Sequence, residues 1–290
     1  MIYLIMNCLQ ASLGTFTQSG IALLEKEPPR FECLDDGTGE WRECSKAEIC
    51  GGNIPRDHYR YDEDQEEYID NWVDQYELLC EPKWKIGLIG SMYFAGVVST
   101  ILLIPWLSDK WGRRWIVTSC YSILILATIG LMLASNLTTL YILVFIIGST
   151  FGGRIISGMN WLVEFQQVRK KELVVFIKML TVSAWIILVT AIFQFGTKHW
   201  LIVAAIFVTL CAIGTIWIIF NVPESCQYLH GKKRYEEARE GLVRVADKNS
   251  VYVVGKNVTA PYSQFKFTQE LGLTAKEMSK LEPIEGQEDS

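Results

Sequence analysis

Charge is scarce in this sequence. Asp, Glu, Lys and Arg make up 20% of the 290 residues while 50% are hydrophobic, against the roughly one quarter charged of an ordinary soluble domain. The charge that exists crowds into residues 25–85, 108–115, 169–172 and 224–290, leaving the stretches between nearly free of it. Positive charge is not in excess: 27 Lys and Arg against 32 Asp and Glu give −5. With no basic stripe interleaved with aromatics, nucleic acid is excluded as a partner. Histidine is rarer still, and His58, His199 and His230 share no metal-ligand spacing, so neither a metal nor a cofactor is expected. No nucleotide-cradling glycine loop and no nucleophile arrangement appears, so the chain does not read as an enzyme. The first apolar stretch lacks the basic leader of a cleaved signal. It starts abruptly at residue 1, and the expectation is of an incomplete amino terminus.

What is there in abundance is apolar sequence in blocks. A bilayer core of about 30 Å takes about 20 helical residues, and six stretches have that length: 2–24, 86–107, 115–134, 139–163, 173–195 and 200–221. The first is the least apolar. Loop 108–114 carries Lys110, Arg113 and Arg114, and loop 164–172 carries Arg169, Lys170 and Lys171, whereas 135–138 has no basic residue and 196–199 only Lys198. The positive-inside rule makes the first two loops cytosolic, so residues 25–85 lie outside and both chain ends inside. The expected fold is an all-α membrane protein, a six-transmembrane-helix bundle. Its parts are a first span at 1–24, an extracellular loop at 25–85, spans two to six at 86–222 and a cytosolic tail at 223–290. The plasma membrane is the expected location and the lipid bilayer the first partner.

The outer loop holds Cys33, Cys44, Cys50 and Cys80. An even set in an oxidising compartment reads as two disulfides in any of three pairings, which makes the loop a small stapled ectodomain. In the tail, Tyr235, Ala238, Leu242, Val245 and Ala246 fall on one side of a helix, and residues 268–282 read as another short helix.

Three stretches carry a family resemblance. Pro105-Trp106-Leu107-Ser108-Asp109-Lys110-Trp111-Gly112-Arg113-Arg114 resembles the cytosolic signature of the major facilitator superfamily between its second and third helices, with Pro105 where a Gly is usual. Tyr76-Glu77-Leu78-Leu79-Cys80-Glu81-Pro82-Lys83-Trp84-Lys85 is similar to the entry into helix 2 of its organic cation and anion transporters. Val222-Pro223-Glu224-Ser225 is similar to their Pro-Glu-Ser signature, followed here by Cys226-Gln227-Tyr228. A Gly148, Gly153, Gly158 ladder leading to Glu164-Phe165 resembles their fourth helix. The resemblance runs in order to about Ala246 and implies the first six-helix bundle of a twelve-helix fold, with a small organic ion as substrate. A second six-helix half is the implied partner, whether further chain or a second copy. The alternative is a transport-inactive membrane scaffold or complex subunit.

The resemblance and the residue types together nominate a site. Asp109, Arg113, Arg114, Glu164 and Arg169 are expected to form an inner charge network that locks and releases with conformation, and Gly112 to allow the sharp turn beside it. Arg154 is the only charge read as lying well inside a confident span, where charge defaults to function. It has three readings: attracting an anionic substrate group in a central cavity, pairing with a carboxylate of the second half, or snorkelling to the outer surface. Asn160 and Gln194 join it as candidate substrate contacts. Lys178, Ser91, Tyr93 and Ser99 read as interhelical hydrogen-bond partners, and Trp161, Trp185, Trp200 and Trp217 as lipid-facing or belt aromatics.

Overall fold

The computed structural model describes residues 2–26, 30–34, 39–52, 54–55, 58–61, 69–166, 171–248, 252–255 and 258–261. The chain divides into two compact units, Ile2–Val222 and the residues from Pro223 on. The first is built on long helices: α1 (Ile2–Leu24), α4 (Lys83–Thr100), α5 (Leu103–Trp111), α6 (Arg113–Leu133), α7 (Leu137–Ser149), α8 (Gly158–Glu164), α9 (Lys171–Ala191) and α10 (Trp200–Asn221). Between α1 and α4 lie the strands β1 (Phe31–Leu34), β2 (Trp41–Cys44) and β3 (Tyr59–Tyr61) and the short helices α2 (Lys46–Gly51) and α3 (Trp72–Gln75).

Among the described residues, four helical segments are long and apolar enough to cross a membrane, Arg113–Leu133, Leu137–Glu164, Lys171–Gly196 and Trp200–Asn221, and the bent pair α4 and α5 makes a fifth if counted as one span. The chain is a multi-pass membrane protein. In α9, Leu173, Phe176, Leu180 and Ile187 recur at helical spacing and are all exposed, an apolar outer face that only lipid or another apolar partner accommodates. The stretch expected as one span over 86–107 bends by 44° between α4 and α5. Pro105 has no N–H to give to the carbonyl of residue 101, so the helical ladder breaks one turn earlier.

α1 is not among the spans by apolarity, because Asn7, Gln10, Ser12, Thr15, Thr17 and Gln18 dilute it. Yet it packs on α10 and α9, and of those six polar residues only Gln18 is not buried. Several find partners inside the bundle: Gln10 Nε2 donates to Thr215 Oγ1 at 3.3 Å, and Thr15 and Thr17 donate to carbonyls of their own helix, whereas Gln10 Oε1 and Ser12 Oγ meet no partner. Phe16 stacks on Phe207 of α10 with ring centroids 5.3 Å apart. α4 crosses α7 where Gly96 meets the Phe145 carbonyl and Gly148 the Tyr93 carbonyl, leaving no room for a Cβ at either. Such small-residue contacts bring membrane helices close. Trp161 and Trp200, expected at the lipid boundary, are instead buried; Trp200 Nε1 donates to Gln75 Oε1 at 3.1 Å and its ring meets Trp72 edge-on.

The segment between α1 and α4 has its own core. The strands pair antiparallel in the order β2-β1-β3, with Phe31 opposite Cys44 and Tyr61. Of the three pairings open from the sequence, the structure takes Cys33–Cys44 and Cys50–Cys80, with Cα atoms 5.7 and 5.3 Å apart. Phe31, Ile49, Tyr59, Tyr61 and Leu79 pack around them. Residues 70–76 then dock on three helix ends: Asn71 Nδ2 donates to the Lys26 carbonyl at 2.6 Å, Asp70 N to Lys198 at 3.1 Å, and Tyr76 OH to Ala134 at 3.1 Å.

The second unit holds α11 (Cys226–Gly231), α12 (Tyr235–Lys248) and an antiparallel pair, β4 (Tyr252–Gly255) and β5 (Val258–Pro261). Ser225 caps α11, accepting from Tyr228 N. The helix expected at 268–282 falls outside the described residues.

Candidate substrate site and inner charge cluster

The charge cluster is set by a turn. Gly112 takes φ 110°, a conformation that side chains rarely adopt, and so α6 follows α5 with no intervening loop. That reversal puts Arg113 one helical turn from Asp109, at 3.2 Å, and in contact with Glu164 at the end of α8. The Glu164 side chain is 8% exposed and that of Arg113 16%, whereas Asp109 is largely open. A pair this enclosed gains from mutual attraction and loses from desolvation in similar measure, so breaking it leaves an uncompensated buried charge. Arg114 turns the other way and donates to the Ile219 carbonyl of α10. Arg169 lies outside the described residues.

Arg154 sits where the helix between Leu137 and Glu164 widens into a π-helical segment, Gly152–Ser157. Such segments occur often at functional sites. The residue is 4% exposed. Its Nε donates to Thr150 Oγ1 at 2.9 Å, its guanidinium lies against Gly14 of α1, where a Cβ would strike it, and Tyr93 of α4 faces it. Its Nη2 meets no acceptor, nor do Ser157 Oγ and Trp161 Nε1, which follow at three and seven residues along the same helix face. The snorkelling reading does not hold for a side chain this enclosed. Asn160 and Gln194, nominated beside it, are exposed.

The structure adds a second buried cation. Lys178 of α9 is 6% exposed, and its Nζ donates to the Asn7 carbonyl of α1 at 3.0 Å and to Asn7 Oδ1. Arg154 is therefore not the only charge well inside a span. Arg154 and Lys178 are both buried, and Glu164, a carboxylate enclosed nearly as well, is engaged with Arg113. The rule that flagged Arg154 applies equally to Lys178. A narrow apolar crevice lined by Phe16, Trp72, Leu131, Val144 and Trp200 among others lies elsewhere in the bundle.

Residues 55–278 match the sequence profile of the family described as "Sugar (and other) transporter". Among curated proteins, the chain is 28% identical over 193 residues to "Solute carrier family 22 member 7" of Rattus norvegicus, covering 64% of this chain and 34% of that protein. It is 25% identical over 202 residues to "Organic cation/carnitine transporter 2" of Homo sapiens, covering 68% and 35% respectively. To "Niacin transporter NiaP" of Acinetobacter baylyi it is 28% identical over 181 residues, covering 61% and 41%. The chain spans about a third of the length of most of these relatives.

Proposed function

The chain belongs to the sugar (and other) transporter family of the major facilitator superfamily, and from that premise we propose that it forms one six-helix bundle of a carrier moving small organic ions across the membrane. The route is alternating access, in which two bundles rock about a site near the bilayer midplane. The second bundle comes from further chain or from a second copy. α1 completes the six: its polar residues are turned inward, so its low apolarity is that of a helix facing the site rather than lipid. Lys and Arg in loops 108–114 and 164–172 place those loops in the cytosol, and the two disulfides suit residues 25–85 to the outside of the plasma membrane.

The observation that carries the substrate reading is Arg154, a buried guanidinium with an unused donor and, among the described residues, no carboxylate in contact with it. An organic anion supplies what it lacks, a charged acceptor for a bidentate contact. Nearer the cytosol, the Arg113–Glu164 pair and Asp109 hold the inner ends of α5, α6 and α8 in one arrangement, and Gly112 permits it. Separation of that pair accompanies the opposite state.

The test is uptake into proteoliposomes of nicotinate, an organic anion, and of a quaternary ammonium ion, by the full chain and by Arg154→Glu. Charge reversal is expected to lower nicotinate uptake about tenfold or more, the value of a charge-assisted hydrogen bond, and to leave the cation's uptake equal or higher. Equal nicotinate uptake by both proteins contradicts the substrate reading. No uptake of either solute by the unaltered chain, alone or with a complementing bundle, favours the scaffold alternative.

A further inference from the structure

Lys178 has no part in the transport step outlined above. Its environment is nonetheless specific. The two acceptors of its Nζ, the Asn7 carbonyl and Asn7 Oδ1, are both neutral. The neighbouring contacts of the α1 and α9 interface are neutral too: Cys8 Sγ donates to Thr181 Oγ1 at 3.4 Å, and Trp185 Nε1 donates to the Cys8 carbonyl at 3.1 Å. The titratable groups that face Lys178 are the Cys8 thiol on α1 and Arg154, a second cation. The carboxylate that α8 brings towards α9, Glu164, is engaged with Arg113.

Count the hydrogens. A neutral amine has two N–H groups and a lone pair; an ammonium has three N–H groups. Two acceptors are fully served by the amine. The third proton of the ammonium is held against the cost of burying charge, with no carboxylate among the titratable groups that face it. Negative charge arriving in the interior would change that balance. Asn7 and Gly14 are seven residues apart on α1, which puts them on one face about 10 Å apart along the axis. Lys178 is seated at the first and Arg154 at the second.

We propose that Lys178 is a proton-binding site linked to the anion site at Arg154, so that binding of an organic anion is accompanied by uptake of one proton on Nζ. This rests on the reading of Arg154 as the anion contact. The step is protonation of a primary amine to an ammonium; the proton comes from water on the side open to substrate and returns to water when the anion leaves. No bond of the anion changes. Linkage is reciprocal: if the anion raises the proton affinity of Lys178, lower pH tightens anion binding by the same factor. Over about 10 Å in a protein interior that factor is about tenfold.

The test is calorimetric titration of nicotinate, a carboxylate ionised throughout the range used, into the full chain in lipid nanodiscs. Titrations in two buffers of different ionisation enthalpy count the protons exchanged. The unaltered chain is expected to lose about tenfold in affinity between about pH 6 and about pH 9, with net proton uptake on binding. Lys178→Met removes the proton site, and Asn7→Asp supplies a carboxylate that keeps Lys178 protonated. Both are expected to bind with pH-independent affinity and no proton uptake. Nicotinate binding that needs Arg154 but shows no proton uptake overturns the proposal, as does full pH dependence surviving in Asn7→Asp. Nicotinate binding that is absent, or indifferent to Arg154→Gln, overturns the proposal together with the anion reading beneath it.

Discussion

Glu25, one residue past the end of α1, shows how far a single position reports on its packing. Its carboxyl lies against Gly90 of α4, and burial pushes its pKa up to about 7 from an ordinary 4.5, partly offset by the Gly90 backbone. The folded state therefore prefers the neutral acid. The stabilisation is fully present below about pH 4.5 and is lost as pH rises through about 7. Thermal unfolding of the unaltered chain is expected to come at lower temperature as pH goes from about 5 to about 8, and Glu25→Gln to flatten that slope; a slope unchanged in the variant contradicts the assignment. Other residues of the site differed in how plainly the sequence announced them. Asp109, Gly112 and Arg113 were legible because the turn fixes their spacing, and Glu164 through the resemblance of its helix to a family pattern. Which face Asn160 and Gln194 take was not legible, because helices apolar on every side give no periodic signal of it; both are exposed. Lys178 read as an interhelical hydrogen-bond partner, and it bonds Asn7 of α1, but that it is a buried charge shows only in the packing.

At the scale of elements, two of the departures from straight apolar helices are informative. Pro105 divides what looked like one span into α4 and α5, and its effect was readable from the missing N–H. The π-helical widening at Gly152–Ser157 was not, since nothing local in a Gly-rich, apolar stretch separates it from an α-helix. The α4 and α7 crossing depends on Gly96 and Gly148 meeting backbone rather than flexible side chains. Gly148→Val is therefore expected to destabilise the bundle by about 1–3 kcal/mol or more, read as earlier thermal unfolding in detergent, whereas the same substitution at Gly87, which faces open space, is expected to have much less effect. Equal losses at both positions contradict a close crossing. α1 shows why apolarity alone is a poor guide here: most of the polar residues that dilute it are enclosed by the bundle.

For the whole molecule, the segment between α1 and α4 is more than a connection. Its docking residues Asp70, Asn71, Gln75 and Tyr76 reach the ends of α1, α6 and the α9–α10 turn, and so tie separate helices together at one rim, while Arg113, Glu164 and Arg114 tie others elsewhere. A bundle held at both sets of contacts is suited to move as a body against a second one. The account's central claim is that its interior accepts the negative charge of a substrate at Arg154. The most direct measurement is uptake of two solutes that differ in charge and little else, nicotinate and nicotinamide, by the unaltered chain and by Arg154→Gln, assembled with a complementing bundle. The account predicts that nicotinate is preferred, and that the variant loses this preference by about tenfold or more while nicotinamide uptake stays the same. A preference for nicotinate that survives in the variant would contradict it.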